Sequence, residues 1–273
     1  MNKVAFITMD VESYYDTTCL KKKNIPSDDK YDCAEEIKKF LDFLNERNIK
    51  ATFFVTVDFL PRCKVFLLEA IKSGHEIALH CLHHVKVKKL SSEEFDASVK
   101  EAKQIIKDEL GIDMVGNRFP EFVSKKKHQS VIEEDGFKYD SVRFAPSKKE
   151  YTKLNDLVYQ NGKFYDFVLA RTPLFKLNIS GGGFVRLIPW KIIGPKIKRH
   201  IKKKDSYILY IHPFEIHKGD LPNYNVNFLK KLYLKRGRDI YLNKIDQIIN
   251  WMNEEKYQFL TMSEYIEKYG REN

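Results

Sequence analysis

At 273 residues with 43% hydrophobic side chains, the chain is long enough to bury one large barrel core or two smaller ones. Its formal net charge of +10 leaves either a solvated basic surface or attraction to an anionic partner: a phosphorylated sugar carrier, a membrane face or nucleic acid. A membrane span is excluded, since no stretch approaches the roughly 18 apolar residues one needs. "MNKVAFITMD" has too short an apolar run for a signal peptide before it meets Asp10, and Cys19, Cys33, Cys63 and Cys81 form no CxxC pair. Both features predict a cytoplasmic protein with reduced thiols.

"KVAFITM" predicts a buried strand, followed by the helix "DCAEEIKKFLDFLNERN" with Asp32 and Glu35 in capping-box spacing. "ATFFVTV" is the next strand, "VFLLEAIKSG" a helix closed by Gly74, and "EIAL" a strand. Ser91 and Glu94 open the helix "EEFDASVKEAKQIIKDELG", whose Phe95, Val99, Ala102, Ile106 and Leu110 share one face. "DMVGNR", "FKYDSV", "FYDFVLA" and "SYILYI" follow as short strands with helices between several of them. No Pro/Gly-rich linker interrupts the pattern, so residues 1–273 are expected to form a single domain. Repeated β-α units imply a mostly parallel sheet, doubly wound or closed into a barrel.

Either architecture places its chemistry at the carboxyl ends of strands. There the sequence puts Asp10 and Glu12, His80, Arg118, Asp140 and His212. "GHEIALHCLHH" also concentrates four of the eight histidines, and His80 and His84 stand four apart. Imidazoles plus a carboxylate, with an acid and a base nearby, is what metal-assisted hydrolysis needs.

The order and spacing of "DVE", "KATFFV", "GHEIALHxxxH", "RFPEF", "GGGFVRLIPW" and "HPFEI" resemble the polysaccharide deacetylase family (NodB homology domain, carbohydrate esterase family 4). The nearest match is a subgroup encoded with exopolysaccharide biosynthesis genes. The resemblance implies a distorted, TIM-like (β/α) barrel of about seven parallel strands. It also implies Asp10 as catalytic base, His80 and His84 as metal ligands, Arg118 as the partner of the base and His212 as general acid. Asp140 takes the role of the carboxylate that tunes His212. The family's third ligand directly follows the base, where this chain has Val11; Glu12, two positions on and on the same strand face, takes that role. Glu121 stands where the family has an aromatic residue whose backbone N–H helps bind the oxyanion. The role of the Ser180–Phe184 glycine loop does not follow from the resemblance.

The expected activity is removal of an N-acetyl group from an amino sugar by one divalent metal, zinc first, with cobalt, nickel, manganese or iron also suited to the ligands. The substrate is a glycan, an oligosaccharide or a phosphate- or lipid-linked sugar. Other readings are a deformylase of a polyprenyl-linked sugar, a cyclic amide hydrolase, or a non-catalytic glycan- or nucleic-acid-binding protein. Nucleic acid lacks a groove-reading motif. The basic segment Leu187 to Lys204, with Trp190, Ile193, Ile197 and Ile201 on one face, fits either core packing or peripheral contact with an anionic membrane face. His75 is expected as a structural hydrogen-bonding residue, His83 as a bystander, His217 as a surface residue and Cys81 as a packed thiol. Tyr14, Tyr15 and Trp190 line a sugar cleft or pack in the core.

Overall fold

A computed structural model of the protein describes residues 2–17, 20, 28–85, 87–122, 126–144, 151–172, 177–222, 224 and 226–270. The strands are β1 (Val4–Val11), β2 (Ala51–Thr56), β3 (Glu76–Cys81), β4 (Gly116–Asn117), β5 (Tyr139–Val142), β6 (Thr152–Lys153), β7 (Val158–Asn161), β8 (Phe164–Val168), β9 (Ser206–Ile211) and β10 (Gln258–Phe259). Helices α1 (Glu35–Asn45), α2 (Leu60–Lys72), α3 (Ser92–Leu110) and α4 (Lys126–Glu134) alternate with the early strands. Helices α5 (Gly182–Leu187), α6 (Trp190–Lys203), α7 (Phe228–Lys235), α8 (Tyr241–Glu254) and α9 (Met262–Tyr269) follow β8. Cys19 and the Lys21–Lys23 run lie outside the described residues.

The sheet is an α/β half-barrel in which β1 is central. Its Val4–Met9 stretch pairs in parallel with β9, while Ile7–Val11 pairs with β2 and Val4–Ala5 with β10. From β2 the order continues β3, β4, β5, β8, β7, β6. All eight residues of β1 are buried, as a strand covered on both faces requires. Phe6 contacts Phe167 and Tyr265 edge-on at 5.1 and 5.4 Å, tying the start of the chain to β8 and α9. Burying one such side chain contributes about 1.5–3 kcal/mol.

The expected parallel strands are present, and the structure adds an antiparallel hairpin of β7 and β8 extended by β6. Its turn is "NGK", with Gly162 at φ +57°, and Asn-Gly is a strong hairpin signal. The segment 177–181 then bridges from β8 to β9. Ile179 N–H donates to Ala170 O at 3.1 Å, and Tyr210 N–H donates to Ser180 O at 2.8 Å. A Cβ on Gly181 would lie 2.0 Å from the Tyr210 carbonyl oxygen, at a φ of +134°. Glycine there lets the loop press against β9. The glycine loop thereby joins the two ends of the half-barrel at the rim of the site.

Two local expectations change. Asp32 does not cap α1, which begins at Glu35 behind Ala34; its carboxylate instead accepts from Ala34 N–H at 2.9 Å and pairs with Arg62 at 2.8 Å. The membrane-facing alternative for α6 does not hold for its apolar face, because Ile193, Ile197 and Ile201 are all fully buried in the core. Trp190 stacks on Trp251 of α8, rings 5.5 Å apart and 4° from parallel. Ser91 and Glu94 do cap α3 reciprocally, at 3.1 and 2.8 Å. Among the described residues, no helix is long and apolar enough to cross a membrane.

Candidate active site

Strand geometry delivers the candidate residues to one cleft. Asp10 and Val11 end β1, Glu12 follows, His80 is the penultimate residue of β3, Arg118 follows β4 and His212 follows β9. Asp10, Glu12, His80, His84 and His212 all line a cavity of about 280 Å³, with Phe122, Phe184, Tyr210 and Tyr233 on its walls.

Ligand-type atoms of Glu12, His80 and His84 lie within 4.8 Å of one another. Glu12 Oε2 is 2.8 Å from His84 Nε2 and 3.6 Å from His80 Nε2. His80 Nδ1 is 2.6 Å from the Arg118 carbonyl, which only accepts, so Nδ1 carries the proton and the Nε2 lone pair faces the cluster. Burial works to raise the pKa of Glu12, but His84, His212 and His80 override it and hold the carboxyl well below its ordinary range. Two imidazoles and an ionised carboxylate fit a divalent cation of the zinc type.

Asp10 and His212 flank this cluster. Arg118, with no exposed surface, donates from Nη1 to Asp10 Oδ1 at 2.6 Å and to Thr8 Oγ1 at 2.8 Å. Its Nε and Nη2 donate to Ser141 Oγ at 3.1 and 2.9 Å, and the guanidinium lies 4.0 Å over the Phe54 ring. A cation held this rigidly fixes the Asp10 carboxylate. Asp10 Oδ2 is 3.6 Å from His212 Nε2.

Asp140 is not the partner of His212. It accepts from Asn117 Nδ2 at 3.0 Å, and burial with the neighbouring Asp166 pushes its pKa well up, toward a neutral acid. The partner is Glu215, whose Oε2 accepts from His212 Nδ1–H at 3.0 Å. Glu215 Oε1 in turn accepts from Arg186 Nε at 3.0 Å, both side chains being fully buried. Arg186 completes its bonds on the carbonyls of Arg236 and Tyr233, at 2.6 and 2.7 Å. Burial works to lower the His212 pKa, but Glu12, Glu215 and Asp10 raise it to about 9. Glu215 and Arg186 were missed as site residues although "HPFEI" and "GGGFVRLIPW" contain them; a Glu three residues after His212 was the available signal.

His75, His83, His217, Cys81, Tyr14, Tyr15 and Trp190 do not line the cleft. His75 is buried, accepting from Ala51 N–H at 3.0 Å, and exposed His83 pairs with Asp58 at 2.8 Å. His217 is half-buried on Glu36 rather than on the open surface. With Cys33 these form a second potential ligand group, in which Lys39 pairs with Glu36 and burial pushes the Cys33 thiol well up. Cys81 packs beside Thr56, and Tyr14 and Tyr15 sit in a core cluster with Phe214. Trp190 lines a separate groove of about 500 Å³ that none of the cleft residues shares. Glu121 lines the cleft, at φ +60°, beside Phe122 at φ +55°; two successive left-handed non-glycine residues store strain where the backbone turns into the site.

Residues 21–139 match the family model "Polysaccharide deacetylase", and residues 147–267 match a "Domain of unknown function (DUF3473)". Chitin deacetylase 1 of Cryptococcus neoformans var. grubii is 36% identical over 72 residues, which are 26% of this chain but only 15% of that protein. A candidate polysaccharide deacetylase from Mycobacterium smegmatis shares the fold at a TM-score of 0.67 and 16% identity, over 98% of this chain and 91% of its own. So does a CE4 family pseudoenzyme from Bacillus anthracis, at a TM-score of 0.58 and 12% identity, over 99% of this chain and 66% of its own. The fold therefore occurs with and without activity, and the side chains of the cleft have to distinguish the two. Residues 21–139 thus carry the polysaccharide deacetylase match, and the chain shares its fold with solved structures described as carbohydrate esterase family 4 proteins.

Proposed function

We propose that the protein is a metal-dependent hydrolase that removes the N-acetyl group from an amino sugar in a glycan, oligosaccharide or lipid-linked sugar, releasing acetate. The observation that carries this reading is convergence: a base candidate, an acid candidate and a three-residue ligand set share one cleft, with Asp10 and His212 only 3.6 Å apart. A binding module has no use for all three.

Glu12, His80 and His84 would hold the cation, which supplies Lewis acidity toward the amide carbonyl and toward water. Arg118 keeps Asp10 oriented to accept the proton of the attacking water. His212, held through Nδ1 by Glu215, presents Nε2 to the departing amine as its proton donor. Arg186 fixes Glu215 from behind, so the acid is positioned before substrate arrives. The products are acetate and a free amino sugar.

The test is direct. Protein loaded with zinc, then separately with cobalt, nickel, manganese and iron, is incubated with acetylated amino-sugar oligomers, and acetate and formate are measured. Acetate release that disappears on chelation supports the reading; formate alone, or no product with any metal, overturns it.

A further inference from the structure

Two arginines stand on the rim of the cleft in no ion pair among the described residues. Arg143 directly follows β5, and Arg171 lies shortly after β8. These strands pair in parallel, Asp140 opposite Asp166 and Val142 opposite Val168, so their carboxyl ends bring both arginines to the same rim as Asp10 and His212. Both guanidinium carbons face one ring, Phe144, at 5.6 and 4.5 Å. Arg143 lines the catalytic cleft, and so does Asn178, whose backbone bridges to Arg171.

Among the described residues, the arginines paired with carboxylates are Arg47, Arg62, Arg118 and Arg186. Arg143 and Arg171 are absent from that set. Three carboxylates line the cleft, Asp10, Glu12 and Glu121, and Arg118 and the histidines engage the first two. Arg171 Nε is buried without an acceptor, so its side chain carries an unmet bond on top of the charge. Burial and the nearby Arg143 both push the Arg171 guanidinium below its ordinary pKa, so the two cations repel. Guanidinium forks match carboxylate and phosphate oxygens bidentately, and an anion between them relieves the repulsion.

We infer that Arg143 and Arg171 form an anion subsite beside the reaction centre, and that the preferred substrate is an acetylated amino sugar bearing, or joined to, a carboxylate or phosphate. The identity of the sugar rests on the deacetylase reading; the anion does not.

Binding and turnover are therefore measured separately on the zinc-loaded protein. Calorimetry compares three probes: a neutral N-acetylglucosamine tetramer, a hyaluronan tetrasaccharide carrying carboxylates, and UDP-N-acetylglucosamine carrying a diphosphate. At low salt one charged probe should bind roughly tenfold or more tighter than the neutral tetramer, and the preference should shrink as salt rises. Which charged probe wins identifies the source of the anion. R143Q/R171Q should abolish the preference, and R143K/R171K should retain only part of it, because lysine keeps the charge but loses the fork. A melting curve and zinc content matching wild type establish that the variants fold; the salt titration of the wild type tests the same claim without a variant. Equal affinities for all probes in the wild type, or a preference that survives R143Q/R171Q, overturns the subsite. A preference for an anionic probe with no acetate released from any probe leaves the subsite standing and removes the deacetylase reading.

Discussion

Glu215→Gln tests which carboxylate serves the candidate acid. The wild-type carboxylate uses Oε2 for His212 Nδ1–H at 3.0 Å and Oε1 for Arg186 Nε–H at 3.0 Å, with both Glu215 and Arg186 fully buried. A glutamine of the same shape has one acceptor oxygen, so it serves one partner and turns an N–H₂ donor toward the other. Arg186 then keeps its charge with no counter-ion, shut away from solvent. Removing one member of a buried pair costs about 3–5 kcal/mol. In a chain of this size each kcal/mol lowers Tm by roughly 2–4 °C, so the melting point should fall by roughly 6 °C or more. His212 also loses the partner that sets its tautomer, and the rate of acetate release should fall about 10²- to 10⁴-fold, the range of a general acid. Asp140→Asn is the matched control: Asp140 touches Asn117 and not His212, so the rate should stay within about threefold. Zinc content, thermal melts and initial rates are measured on both variants. If Asp140→Asn loses the rate and Glu215→Gln keeps it, the acid's partner has been misassigned.

Three further comparisons probe other parts of the structure. Asp10→Asn removes the proton acceptor and should retain zinc while the rate falls about 10²- to 10⁴-fold; Glu12→Gln should lose zinc affinity, with activity partly restored by excess metal, and elemental analysis that finds the opposite pattern reverses the two roles. Gly181→Ala drives a methyl to 2.0 Å from the Tyr210 carbonyl and should cost about 3 kcal/mol or more, whereas Gly111→Ala, at φ +71° in open space, should cost only about 1 kcal/mol; equal melts for the two would remove the close-approach argument. Burial raises the Asp166 pKa from 3.8 to about 7, so the stability tied to its protonated form is complete below about pH 4 and is lost as pH rises through 7. Asp166→Asn should accordingly exceed wild type by on the order of 3 kcal/mol at pH 8 and by little at pH 4, read from denaturant melts.

Much of the frame was legible because strands buried on both faces have to be continuous apolar runs, as "VAFITM", "ATFFV" and "YILYI" are. The ligand cluster was legible because three of its members fall at strand ends or four residues apart. The β7–β8 hairpin was missed although its Asn161-Gly162 turn is explicit, because "VYQN" is too short and polar to stand out as a strand. The buried Arg186–Glu215 pair was missed for a different reason. Local sequence describes a charge as solvated, and only the fold shows that residues 29 positions apart neutralise each other inside the core. The apolar face of α6 was ambiguous because Ile193, Ile197 and Ile201 have the same spacing whether they meet a bilayer or a β-sheet.

The position of β1 also bears on how the site comes into being during synthesis. Asp10, Glu12, His80 and His84 all leave the ribosome well ahead of β9, so the strand that carries Asp10 and leads into Glu12 lacks that neighbour until residue 211 has been made. Its amino end waits longer still, since Leu260 N–H closes on Ala5 O at 3.1 Å and Tyr265 packs against Phe6. The nascent chain thus holds every side chain of the candidate ligand set well before it holds the histidine that would protonate the amine. Contacts spanning more than 200 residues make the last step of folding a slow, non-local one. A metal captured early by Glu12 and the two histidines would act as a clamp on the half-built sheet, biasing the nascent chain toward the register that β9 later joins.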